Sequence, residues 1–158
     1  MFSISLVLLP IIIGAATCGY KIGAWLGFVF GVVVLLSGDA TAFLTVNYWG
    51  TIATVLVKGT LCGLVAGLVY SALAKYNQYL AVMAAAIVCP IVNTGIFLLG
   101  MVCFFSDVIA EKWAGGANIF LFLVGLIWIN FIIEVGINIV LSPAIVRIVD
   151  AVKKKAKK

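Results

Sequence analysis

The fold class this chain predicts is an all-α, polytopic bundle of membrane-spanning helices, and three observations predict it. Of its 158 residues, 66 % are hydrophobic and only 9 % charged, where a soluble domain carries about 25 % charged residues. Long apolar runs follow one another along the chain, most near the ~20 residues that a helix needs to cross a ~30 Å hydrocarbon core. Every acid except Glu134 falls in a short polar break or in the terminal tail. The chain reads as one transmembrane bundle over residues 1–158, made of five segments, with a basic cytoplasmic tail over residues 150–158 and no room for a separate soluble domain.

The first segment runs from about Phe2 to Thr17, and the second from about Ile22 to Leu36 after the break Cys18-Gly19-Tyr20-Lys21. Both are short for a crossing. The glycine and lysine at the break, with Pro10 upstream, predict two short antiparallel helices rather than one bent one. This N-terminal run lacks the basic start of an ordinary signal peptide, and apolar sequence continues beyond it. In the second segment Gly23, Gly27 and Gly31 recur every four residues, a stripe along which another helix can approach backbone to backbone.

Residues 37–50, SGDATAFLTVNYWG, mix polar and apolar types and include Asp39, Asn47 and the pair Tyr48-Trp49. They suit either an interfacial aromatic belt or a lid over a pocket. The third segment, about Thr51 to Ala74, repeats the small-residue stripe with Gly59, Gly63 and Gly67 and carries Lys58. That lysine either snorkels to the interface or faces a central cavity.

After the polar turn Lys75 to Tyr79 comes the fourth segment, about residues 79–105, whose stretch from Ala85 to Phe105 holds Pro90, Asn93, Thr94 and Gly95 in its middle. Hydrocarbon satisfies neither an asparagine amide nor the carbonyl that a proline leaves free, so these groups must face other helices or a cavity. Asn93 is therefore either a tie between helices or a ligand-facing group. Residues 106–118 form a polar loop with Asp107, Glu111, Lys112 and a Gly-Gly pair. The fifth segment, about Ile119 to Val149, contains Trp128, Asn130, Glu134, Asn138 and Pro143. At ~45 Å it exceeds the hydrocarbon core, so its last turns extend into the cytoplasm.

The net charge of +5 does not point to nucleic acid, because five of the ten basic residues lie in the terminal AVKKKAKK. That tail suits a cytoplasmic flank beside anionic lipid headgroups. The same rule places Lys75 and Lys21 inside, and Asp39, Asp107, Glu111, Lys112 and Met1 outside. Four cysteines lie singly in apolar runs, with no CxxC pair and no histidine in the chain. This argues against a zinc or iron–sulfur site and predicts no cofactor; the cysteines read as small packing residues without an inferred disulfide.

Depth along each helix assembles a candidate site. Counted from the outer ends at ~1.5 Å per residue, Lys58 lies ~10 Å down and Asn93 and Asn130 ~18 Å down, with Glu134 one turn below Asn130 at ~24 Å. A cation, two amides and a carboxylate thus form a column open to the outside. The depth mismatch between Lys58 and Glu134 weakens a simple ion pair, leaving Lys58 to meet an anionic group of a ligand while Asn93 and Asn130 supply directional hydrogen bonds and Tyr48 or Trp49 stacks above. The other reading of Glu134 is an internal ion pair or a hydrogen bond between helices.

In their order and spacing, LPIIIGAATCGYKIGAWLGFVFG, KGTLCGLVAGLVY and CPIVNTGIFLLGMVCFF resemble the substrate-binding S components of energy-coupling-factor (ECF) vitamin transporters. The resemblance implies a six-helix bundle with cytoplasmic termini and a ligand pocket in the outer half, built mainly by the last three helices and closed by outer loops. It makes residues 38–49 the lid and residues 106–118 the loop before the last helix, with Asn93 and the face bearing Asn130 lining the pocket. The first segment corresponds to the family's second helix, so the family's first helix, which docks on the coupling subunit, is not seen in this chain.

The expected function is capture of a vitamin or related small metabolite from the outer face of the plasma membrane. Delivery would pass through a transmembrane coupling subunit powered by two separate ATPase subunits, since this chain holds no phosphate-binding Walker motif. The alternative is a structural or assembly subunit with no ligand of its own. An enzyme is not expected, because the chain has no histidine and Glu134 stands alone.

Overall fold

A computed structural model describes residues 8–38, 40–108 and 119–156, and all regular structure among them is helical. Helix α1 (Leu8–Cys18) ends at Gly19, whose φ of 92° is costly for any residue with a Cβ. The chain reverses there. In α2 (Tyr20–Leu36), Gly23 lies against Ala15 and Leu26 reaches over Gly14, so α1 and α2 form the antiparallel pair expected from the break.

The two glycine stripes meet each other. A Cβ added to Gly23 would sit 2.6 Å from the Gly63 carbonyl oxygen, and one added to Gly31 would sit 2.9 Å from that of Val55. Gly27 and Gly59 oppose one another with no room for a side-chain atom on either. Close approach of this kind replaces a hydrophobic driving force, which lipid does not supply, by van der Waals contact along two backbones.

A four-residue helical turn, α3 (Thr41–Leu44), precedes α4 (Tyr48–Leu73). Helix α4 starts three residues before the expected Thr51, because Asn47 caps it: its side-chain oxygen accepts the Gly50 N–H at 3.0 Å. Helices α5 (Gln78–Val108) and α6 (Ile119–Ala156) complete the bundle. Three helical stretches, Tyr48–Leu73, Gln78–Ser106 and Phe131–Lys155, are long and apolar enough to cross a membrane, while α1 and α2 are shorter. Side chains such as Trp25, Val33, Leu61, Leu99 and Val140 are turned outward, as a lipid-facing surface requires.

Helix α6 continues through Pro143 and into the basic tail. Lys153 donates to the Tyr70 hydroxyl at 2.8 Å and Gln78 donates to Asp150 at 2.7 Å, joining the Lys-rich end of α6 to α4 and α5. Asp39, Glu111 and Lys112, on which the outer side of the topology rests, lie outside the described residues.

The main core occupies the half of the bundle nearest the basic tail. Leu8, Ile11 and Ile12 of α1 pack there with Cys62, Ala66 and Tyr70 of α4, Ala81 to Cys89 of α5, and Ile145 and Val149 of α6. One polar bond is built into its upper edge. Pro90 has no N–H to give the Ala86 carbonyl, and Asn138 of α6 donates to that oxygen at 3.2 Å. The carbonyl expected to be left free is thus satisfied, by Asn138 and not by Asn93. Asn138→Leu is expected to lower stability by about 1 kcal/mol, read as a lower melting temperature in detergent. An unchanged melting temperature would show that Ala86 has another donor.

Candidate functional site

Residues four apart share one face of a helix, and α4, α5 and α6 each turn such a row inward. Running from the end away from the basic tail, α4 contributes Thr54, Lys58 and Cys62, α5 contributes Phe97, Asn93 and Cys89, and α6 contributes Glu134 and Asn138. The rows stack as layers. Lys58, Asn93 and Glu134 form the middle one; Cys62, Cys89 and Asn138 lie one turn below, at the top of the dry core.

In the middle layer the Lys58 ammonium lies 5.0 Å from the centroid of the Phe97 ring, a cation–π contact. Lys58 therefore faces the interior rather than snorkelling. Glu134 is buried and close enough to act electrostatically on Lys58, which corrects the depth mismatch expected from counting. Part of the reason is the earlier start of α4, which moves Lys58 to ~15 Å from the helix end, and part is the reach of the lysine chain.

Asn93 is 8 % exposed and its side-chain oxygen has no hydrogen-bond partner among the described residues; the same holds for the Thr54 hydroxyl, 7 % exposed. Each such orphan costs about 1–3 kcal/mol unless another molecule meets it.

Above this layer Phe43 of α3 sets its ring edge against Phe97 and against Phe105, each at a centroid distance of 5.8 Å. Asn47 donates from its side chain to the Phe104 carbonyl at 3.3 Å, joining the segment after α3 to the outer end of α5. Residues 40–50 therefore cover the ends of α4 and α5 away from the basic tail, with Phe43 against the Phe97 ring that Lys58 faces. Tyr48 and Trp49, expected to stack there, are 57 % and 79 % exposed and pack edge-on against each other at 5.7 Å. The cap at Asn47 starts the helix just before them and leaves both turned outward. Asn130 lies in α6 one turn before Glu134, and its side chain is outside the described residues.

Sequence reasoning missed Thr54, Phe43 and Phe97. The four-residue spacing that joined Asn130 to Glu134 also joins Thr54 to Lys58 and Phe97 to Asn93, so two of the three carried a signal. The site offers an ammonium, an amide and a hydroxyl as donors, with a carboxylate and an amide oxygen as acceptors. It pairs no nucleophile with a base, and no three His, Cys, Asp or Glu residues converge as a metal site among the described residues.

The chain matches, over residues 1–146, the family model described as the substrate-specific component of ECF transporters. Comparison with curated proteins and with solved structures finds no match. An all-helical fold, helices apolar enough to span a membrane and a family match over most of the chain agree: the protein belongs to the substrate-specific components of ECF transporters, membrane transport subunits rather than enzymes.

Proposed function

We propose that the chain captures a small, partly polar metabolite of the vitamin class from the outer face of the plasma membrane and passes it to a coupling subunit driven by two ATPases on other chains. Lys58 meets an anionic group of this ligand, Asn93 and Thr54 hydrogen-bond to it, and Asn130 adds a contact from α6. The observation that carries the reading is the pair of polar atoms without a partner among the described residues, Asn93 Oδ1 and Thr54 Oγ1, beside the half-buried Lys58 and above a closed apolar core. A packing subunit has no need of unsatisfied groups there, whereas a ligand offsets their cost.

Mass spectrometry of small molecules released from the purified protein, followed by titration of the molecule found, tests the proposal. Saturable binding supports it, and a protein that releases nothing and binds nothing is a structural subunit.

Access from outside requires a cytoplasmic C-terminus. Single cysteines at Lys158, Asp39 and Glu111, in a background lacking the native four, are expected to react with an impermeant maleimide only at the last two positions in intact cells. Labelling at residue 158 would invert the topology and place the site's mouth on the wrong side.

A further inference from the structure

Directly beneath the candidate site, Cys62 of α4 and Cys89 of α5 bring their sulfur atoms to 2.7 Å, both side chains with no exposed surface. The other two cysteines, Cys18 and Cys103, are exposed and each lies elsewhere in the fold. Packing alone asks only that two small side chains touch. Here the sulfurs themselves are the touching atoms, on helices that converge at this level, and no third acid or thiol joins them as a metal-ligand set among the described residues. The pair is one turn below Lys58 on α4 and one turn below Asn93 on α5, and Lys58, Glu134 and both cysteines lie within electrostatic reach of one another.

We propose that Cys62 and Cys89 form a reversible cystine that joins α4 to α5 across the floor of the site. The two thiols give up two protons and two electrons as the S–S bond forms, and dioxygen, which partitions into hydrocarbon, takes both to become hydrogen peroxide. A dithiol reductant reverses the step by exchange. The bond closes a loop between residues 27 apart in sequence, which restrains the unfolded chain and fixes the spacing of the helices that carry Lys58 and Asn93.

The test uses membranes containing the full chain with Cys18→Ser and Cys103→Ser, oxidised in air with copper–phenanthroline, then unfolded in detergent with a polyethylene-glycol maleimide. Untreated protein is expected to take two maleimides and oxidised protein none. Dithiothreitol should restore both, and digestion should yield a Cys62–Cys89 linked peptide lighter by two hydrogens. The oxidised form should melt at a higher temperature than the reduced form. A further Cys62→Ala change leaves one thiol, which should keep its single maleimide after oxidation. Two maleimides and an unchanged mass after oxidation of the paired form overturn the proposal, as does loss of the lone thiol in the Cys62→Ala form.

Discussion

Gly27→Leu is expected to prevent formation of the native bundle, with the protein recovered as aggregate or melting far below the parent in detergent. A side chain at Gly27 must enter the backbone of Gly59, and one at Gly63 that of Gly23, so neither clash is relieved by a rotamer change. Overpacking a well-filled interior costs about 1–3 kcal/mol and more where only backbone can yield. Here helices α2 and α4 must separate along their whole contact, which loses the van der Waals contact that holds them. Gly63→Leu should behave alike, and Gly27→Ala less severely. Gly95→Leu and Gly136→Leu give the contrast: neither glycine has any atom near the position of a Cβ, so their melting temperatures should stay near the parent's. Equal loss in all four would mean that added apolar bulk, and not the seam, is responsible.

Lys58→Met should lower affinity for the released metabolite by tenfold or more and lower the melting temperature, as Glu134 loses its cation. The substitution keeps the length of the apolar stem but removes a charge that the interior holds with a ring face and one carboxylate. Removing one partner of a buried charge pair leaves the other uncompensated, here Glu134, so the variant costs the empty protein stability as well as penalising the complex. Asn93→Ala should weaken binding by about 1–3 kcal/mol, since the ligand then leaves its own polar group unpaired. Thr54→Val tests the orphan hydroxyl in the same titration, with a smaller loss. Parent-like affinity in the folded Lys58→Met and Asn93→Ala variants would move the site elsewhere in the bundle.

The helices were legible because lipid enforces a simple rule: apolar length, broken by glycine and polar turns, marks each one. Gly19 and the two glycine stripes could be read for the same reason. What the stripes touch could not, since a stripe states that something comes close and not which helix does. Asn93 and Lys58 were visible as polar groups in an apolar run. Asn138 looked the same, yet it serves the carbonyl that Pro90 leaves unpaired, a partnership that depends on the register between α5 and α6. Tyr48 and Trp49 were visible as an aromatic pair beside a lid, which suits both a belt and a stacking surface. The start of α4, set by the Asn47 cap, leaves both exposed, while Phe43, which no spacing marked, packs on Phe97.

The glycine seam also determines which parts of the molecule move. Two helices locked backbone to backbone behave as one stiff plate, so a route for a ligand through the α2–α4 wall would require breaking the seam along several turns. At the end away from the basic tail, the ties of α3 and the segment after it are of another kind and include a side-chain hydrogen bond from Asn47 to α5 and the edge contacts of Phe43. At about 1 kcal/mol for the bond and ~0.5–1.5 kcal/mol for each ring pair, their rupture lies within thermal reach. On the function proposed above, entry would proceed by swinging a small flap over a fixed wall, at the microsecond-to-millisecond pace of lid motions.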